Sequence, residues 1–92
     1  MTQKETKKNP VKNIQEDVNK ENFLILHNDD VHTFDYVIDA LVDICKHEYE
    51  QATQCTMLVH YKGKCDVKKG GFAALKPMKD ALLERKLNAT ID

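Results

Sequence analysis

Apolar residues are distributed unevenly along this chain of 92 residues. Residues 2–21 are polar except where Val11, Ile14 and Val18 interrupt them. Such a segment cannot bury enough apolar area to offset the entropy that ordering costs. We therefore expect residues 1–21 to be a flexible N-terminal extension. Residues 22–92 are expected to form one folded domain, because about 70 residues support a single small core.

Composition and charge exclude several classes of protein. With 41% hydrophobic and 32% charged residues, the chain is too apolar to be disordered throughout, and it has no apolar run long enough to span a membrane. Basic and acidic residues number 14 and 15, giving a net charge of −1. A chain without a basic excess is poorly suited to bind a nucleic-acid backbone, so we expect no nucleic-acid partner.

The N-terminal residues and the cysteines indicate a compartment. The first residues lack the apolar segment of a signal peptide, and their acidic residues argue against a transit peptide. Cys45, Cys55 and Cys65 are odd in number and form no CxxC pair, so they predict reduced thiols in the core rather than a disulfide framework. We expect a cytoplasmic protein.

The first half of the domain reads as a strand followed by a helix. Residues 23–26 are a short apolar run typical of a buried strand, and the Asn and Asp residues after it favour a turn. From residue 34 the apolar side chains recur at helical spacing, with Thr33 as the predicted N-cap. The stripe consists of Phe34, Val37, Ile38, Leu41, Val42 and Cys45.

The second half predicts two more helices and two strands. A helix is predicted from about residue 50 to 61, with Gly63 as its C-terminal signal. In residues 65–68 apolar and polar side chains alternate, which predicts a weak strand. Because proline disrupts a helix interior, Pro77 predicts a third helix starting near Ala74 and continuing to about Lys86. Residues 88–91 are expected to form a short last strand. The order β-α-α-β-α-β predicts an α+β domain, with three helices packed on a small three-stranded antiparallel sheet.

Two polar clusters can carry a binding function. Asn28, Asp29 and Asp30 follow the first strand, and His60 ends the second helix. An α-ammonium group has three donors, and an amide oxygen, a carboxylate and a neutral imidazole are suitable acceptors. This set would distinguish a free peptide N-terminus from an internal peptide bond.

Other interpretations of these residues stay open at this point. Residues 28–30 could simply form a capped turn. His60 could simply be a helix-end histidine bonded to a backbone carbonyl. His27, Asp29 and His32, with His60, are metal-ligand types, and a small metal-dependent hydrolase would use them, although their spacing fits no standard metal motif. A ribosome-associated module like the C-terminal domain of ribosomal protein L7/L12 is similar in fold class alone.

The order of motifs resembles a known family. The strand entering Leu26-His-Asn-Asp-Asp30, the helix that includes Val37-Ile-Asp-Ala-Leu41, the Ala52-Thr-Gln54 segment and Val59-His-Tyr-x-Gly-Lys64 are together similar to the Clp protease adaptor family, ClpS. That family has no catalytic activity and no cofactor. Its members bind proteins with bulky hydrophobic N-terminal residues (N-end rule degrons) and deliver them to a Clp AAA+ unfoldase–protease.

The resemblance also implies roles for individual residues. Asn28, Asp29 and His60 would hold the α-amine, with Asp30 in the same acidic loop and His32 beside the site. The pocket for the first side chain would be lined by Phe34, Val37, Thr56, Val59 and Leu87. The extension would engage the unfoldase, and the surface around His60, Tyr61 and the third helix would dock on the unfoldase N-domain. The resemblance further implies a monomer without a metal.

The sequence departs from the family at the rim of this pocket. Many members have Tyr or Phe followed by Thr-Pro after Asn-Asp-Asp, whereas this chain has Val31, His32 and Thr33. Methionine is usual in the family where Phe34 and Thr56 stand. The pocket is therefore expected to differ in shape from that of its relatives.

Overall fold

A computed structural model describes residues 21–92, and within this range it contains three helices and three strands. The predicted α+β class and element order are confirmed. The predicted extension lies outside the described residues except for Glu21. In chain order the elements are β1 (Asn22–His27), α1 (Phe34–Cys45), α2 (Tyr49–Lys62), β2 (Lys64–Gly70), α3 (Phe72–Glu84) and β3 (Asn88–Ile91).

The sheet is antiparallel with the order β2-β1-β3, so the first strand lies in the centre. On one side His27 pairs with Lys64, and the register shifts between Leu24 and Ile25. On the other side Leu24 pairs with Ile91 and His27 with Asn88. Leu24, Ile25 and Leu26 are all buried, so both faces of β1 are covered there, which explains why its sequence is a continuous apolar run rather than an alternating one.

One hydrophobic core joins the sheet to all three helices. Burying one leucine side chain in this core, away from water, stabilises the fold by about 1.5–3 kcal/mol. The large side chains that are fully buried are Leu24, Leu26, Leu41, Leu75, Leu82 and Cys45.

Helix α1 has the boundaries expected from its sequence. The Thr33 side chain accepts a hydrogen bond from the backbone N–H of Tyr36 at 3.2 Å, as an N-cap does. The helix ends where Lys46 adopts a left-handed conformation with φ of 61°. The ammonium group of Lys68 on β2 donates to the carbonyl of Cys45 at 2.9 Å, which satisfies one of the free carbonyls at this helix end.

Helix α3 differs from the prediction in where it begins and ends. It starts at Phe72 rather than near Ala74, so Pro77 is an interior residue, and it ends at Glu84 rather than Lys86. Proline cannot donate to the carbonyl of Ala73, but Ala73 is exposed, and water can satisfy that carbonyl. The expectation was wrong because the exposed side of a helix tolerates the missing bond better than its buried side.

The three cysteines are free thiols: Cys45 and Cys55 are buried and Cys65 is partly buried. Burial raises the pKa of Cys45 to about 11, although the nearby Lys68 ammonium acts in the opposite direction. Burial also raises the pKa of Cys65 well above its usual value of 9, and the neighbouring Cys55 thiol adds to this effect. The thiols of Cys45 and Cys65 therefore stay protonated near neutral pH.

None of the helices within residues 21–92 has the length and apolar character needed to cross a bilayer.

Candidate functional site

The site forms where the end of β1 meets the end of α2. The backbone N–H of Asn28 donates to the carbonyl of Gly63 at 2.9 Å, and the N–H of Gly63 donates to the carbonyl of Val59. Gly63 has φ of 92°, a conformation that glycine adopts without strain. This turn brings His60, in the last turn of α2, beside the residues that follow β1.

The loop between β1 and α1 is organised by the Asp29 carboxylate. Its Oδ1 accepts hydrogen bonds from the backbone N–H groups of Val31 at 2.9 Å and His32 at 3.0 Å. The Nδ1 atom of the His32 ring lies 3.0 Å from each carboxylate oxygen. Burial alone would raise the pKa of Asp29, but these three hydrogen bonds outweigh it and hold the pKa below its usual value of 3.8. Asp29 is thus a carboxylate at neutral pH.

Aromatic contacts connect this loop to the helices. The His32 ring is stacked on Tyr36, with centroids 4.5 Å apart and planes at 17°. The Tyr36 hydroxyl donates to the carbonyl of Arg85 at 2.6 Å. Phe34 meets His60 edge to face, with centroids 5.3 Å apart. The loop, α1, α2 and the turn after α3 are therefore held together around one opening.

The turn after α3 brings the last wall residue into place. Lys86 has a left-handed φ of 68°, and the N–H of Leu87 donates to the carbonyl of Leu82 at 3.0 Å. Leu87 is 3% exposed. A residue between a helix and a short strand thereby becomes part of the core at the site.

These elements enclose a small cavity of about 30 Å³. That volume is room for about two water molecules, so a bulky side chain enters only if a wall moves. Phe34 is the most exposed of the apolar wall residues, at 41%. The lining residues are Leu26, His27, Asn28, Asp29, His32, Phe34, Val37, Thr56, Val59, His60 and Leu87.

Nine of the ten residues that the family resemblance assigned to the site or beside it line this cavity. Asp30 is not among the lining residues, and its side chain is exposed. Sequence reasoning missed Leu26 as a wall residue, because a buried strand residue looks the same whether or not it borders a cavity. It also missed the contact of Tyr36 with His32, whose only sequence signal is a spacing of one helical turn.

The arrangement combines an apolar interior with polar acceptors. Val37, Val59 and Leu87 are almost fully buried hydrophobic side chains. The hydroxyl of Thr56 donates to the carbonyl of Ala52 at 2.8 Å, so it needs no partner inside the cavity. At the rim, Asn28 and Asp29 offer oxygen acceptors. Chemically, this suits a ligand with an apolar side chain and a cationic head.

The donor set does not form a metal centre. Within residues 21–92 no three His, Cys, Asp or Glu side chains are arranged to hold an ion together. His27 has its Nε2 atom 2.7 Å from the Thr90 hydroxyl on β3. Among the candidate ligands, His27 is therefore engaged by β3, which does not favour the hydrolase interpretation.

Comparisons with known proteins place the chain in a family. The family model described as ATP-dependent Clp protease adaptor protein ClpS matches residues 17–90. Curated relatives include the ClpS adapter proteins of Serratia proteamaculans and Erwinia tasmaniensis, each 44% identical over 41 residues. Those alignments span 45% of this chain and 39% of each relative.

A solved structure shows the same fold. Agrobacterium tumefaciens ClpS2 bound to L-phenylalaninamide superposes with a TM-score of 0.74, over 79% of this chain and 95% of that one, at 20% sequence identity. At that identity the likeness concerns the fold alone. The family model covers most of the chain and carries the assignment. The chain belongs to the ClpS family of ATP-dependent Clp protease adaptor proteins.

Proposed function

We propose that this protein is an adaptor that binds proteins by a bulky hydrophobic N-terminal residue and delivers them to a Clp AAA+ unfoldase–protease. The observation that carries the proposal is a cavity whose lining combines apolar side chains with Asn28, Asp29 and His60. The structural neighbour ClpS2 was bound to L-phenylalaninamide, which has an aromatic side chain and a free α-amine. A ligand of that kind matches both the apolar walls and the polar acceptors of this cavity.

The energetics support affinity from one residue and its amine. Transferring a Leu or Phe side chain from water contributes about 1.5–3 kcal/mol. Each hydrogen bond to the charged amine contributes about 1.5–3 kcal/mol, and three acceptors are available. Against this stand the entropy of association and the movement of Phe34. A micromolar dissociation constant, about −8.2 kcal/mol, is within reach of these contributions.

The binding step is tested by fluorescence anisotropy with peptides that differ only in their first residue. Each peptide is made with a free and an acetylated N-terminus. We expect Leu, Phe, Tyr or Trp in first position to bind, and acetylation to abolish binding because it removes the charge and leaves the acceptors unpaired. Equal binding of free and acetylated peptides would refute the proposal.

Variants of the rim localise the site. Asn28→Ala and His60→Ala are expected to abolish peptide binding while leaving the unfolding midpoint nearly unchanged, since both side chains are exposed. Asp29→Asn removes the charge that faces the amine. Its matched control is Asp39→Asn on the exposed side of α1, which removes the same charge away from the cavity and should bind as the wild type does.

Delivery is the second half of the proposal, and it rests on family membership. The unfoldase and its protease would supply the catalysis, so we infer that the adaptor has none of its own and works as a monomer in the cytoplasm. A degradation assay with a Phe-initiated fluorescent protein tests this step. We expect the full chain to accelerate degradation. A chain that lacks residues 1–21 should bind peptide normally and deliver poorly.

A further inference from the structure

His32 is a polar residue that lines the cavity, and the proposed function assigns it no task. Its side chain is 16% exposed. Its ring is held on two sides. Nδ1 is 3.0 Å from both oxygens of Asp29, and one face of the ring is stacked on Tyr36.

The contact with Asp29 defines where the ring carries its proton. An ionised carboxylate can only accept hydrogen bonds, so the Nδ1 atom that faces it must be the donor. In the neutral ring the Nε2 atom is then unprotonated. Stacking on Tyr36, whose hydroxyl donates to the carbonyl of Arg85, restrains the ring from one face.

The consequence for Asp29 is a carboxylate with a defined orientation. A carboxylate has about four lone-pair positions. The N–H groups of Val31 and His32 occupy positions on Oδ1, and the ring shares both oxygens. Oδ2 receives no backbone donor among the described residues and keeps capacity for a further one. Without the ring, only the two backbone N–H groups on Oδ1 would hold the carboxylate, and Oδ2 would be less firmly positioned.

We propose that His32 is a positioning residue: its Nδ1–H orients Asp29 so that Oδ2 receives the α-ammonium group of an N-terminal residue. This inference rests on the proposed function, because it assigns a role within the same binding site. The arrangement is preorganised, so the entropy of fixing the acceptor is not lost again when the ligand binds. His32 acts through Asp29 and need not touch the ligand.

The position of the donor nitrogen allows a sharp test. In His32→Asn the side-chain amide nitrogen takes approximately the place of Nδ1, whereas in His32→Gln it reaches approximately the place of Nε2. His32→Ala removes the donor. We expect a Phe-initiated peptide to bind about tenfold more weakly to His32→Ala and His32→Gln, and within about threefold of wild type to His32→Asn. A role in which the ring merely fills space predicts the opposite order, because Gln replaces more of its volume.

A second measurement is independent of the peptide. Where the His32 ring is neutral, its long-range ¹H–¹⁵N NMR correlations should show the pattern of an Nδ1-protonated ring. In Asp29→Asn this preference should weaken, because a neutral amide oxygen is a poorer acceptor. An Nε2-protonated pattern in the wild type would overturn the inference whatever the binding data show.

The outcomes separate this inference from the proposed function. A wild-type protein that does not distinguish free from acetylated peptides refutes the proposed function, and the role of His32 in that site with it. A wild type that distinguishes them, together with His32→Ala of unchanged affinity, refutes the positioning role alone. Loss of affinity in His32→Ala with recovery in His32→Asn supports the positioning role.

Discussion

Asp29 is ionised more readily in the folded protein than in the unfolded chain. The hydrogen bonds from His32 and Val31 overcome the effect of burial and lower its pKa below 3.8. A carboxyl group with a lowered pKa stabilises the fold at pH values above its unfolded pKa of about 3.9. That contribution is lost as the pH falls through the lower, folded-state value.

We therefore expect the loop after β1 to loosen in acid before the core does. In an NMR titration from pH 6 downward, the amide signals of Val31 and His32 should shift together below about pH 4. Asp29→Asn keeps an oxygen acceptor but does not titrate, so its amide signals should lack this step. If the wild type and Asp29→Asn gave identical titrations, the step would not arise from the Asp29 carboxyl group.

Phe34 is expected to govern which first residues enter the cavity. It is 41% exposed and packs edge to face on His60, and the cavity behind it is small. Phe34→Met replaces a stiff ring by a flexible chain. We expect it to improve binding of Trp-initiated peptides relative to Leu-initiated ones by up to about tenfold, roughly 1.4 kcal/mol.

The matched control for Phe34 is Tyr49→Met, an exchange of an exposed aromatic residue at the start of α2. It should leave the whole peptide panel unchanged in anisotropy measurements. If Phe34→Met and Tyr49→Met give the same panel as wild type, the entrance does not depend on residue 34.

Among the helices and strands, capping and turn residues in the sequence correctly predicted several element boundaries. Thr33 is the N-cap of α1, Gly63 is the C-cap of α2, and β3 occupies residues 88–91 as expected. Capping and turn residues act within one helical turn, so a sequence pattern reveals them. The start of α3 was mispredicted, because the cost of an interior proline depends on whether the freed carbonyl can reach water.

The residues of the site were harder to predict from short-range sequence patterns. The family resemblance placed Leu87 in the pocket, but residue spacing alone offers no reason for it. Leu87 reaches the cavity through the left-handed turn at Lys86. A lysine in the sequence does not indicate that conformation. The stack of His32 on Tyr36 likewise depends on how the loop approaches α1. Contacts between elements follow from packing, which short-range patterns do not encode.

Pro77 offers a direct test at the element scale. Replacing it with alanine restores a backbone donor to the carbonyl of Ala73, and alanine is favoured over proline in helix interiors by about 3 kcal/mol. Part of this gain is offset because proline also restricts the unfolded chain. We expect Pro77→Ala to raise the free energy of unfolding by about 1–2 kcal/mol in urea titrations.

Pro77→Gly separates the restored hydrogen bond from helix propensity. Glycine supplies the same donor but is about 1 kcal/mol less favourable than alanine. The stabilisation should therefore be smaller than in Pro77→Ala. A variant Pro77→Ala less stable than wild type would mean that the proline ring has packing contacts which outweigh the missing bond.

Across the whole molecule, the cysteines report on opening of the core. They lie on α1, α2 and β2, and the pKa values of Cys45 and Cys65 are raised. Alkylation needs an accessible thiolate, so iodoacetamide at neutral pH should react slowly with the native protein and fully after denaturation. A cysteine introduced by Glu50→Cys, at an exposed position, provides the fast reference. Equal rates at Cys65 and this position would contradict the expected protection.

The central position of β1 has a consequence for how the domain is made. Its partners are β2 and β3, and the pairing of Leu24 with Ile91 joins residues far apart in sequence. During synthesis the strand that emerges first must wait for the one that emerges last, and such high contact order slows folding. Until residues 88–91 have left the ribosome, one edge of an apolar strand stays open to other chains. Premature termination near the C-terminal strand would therefore yield an aggregation-prone product rather than a weaker adaptor.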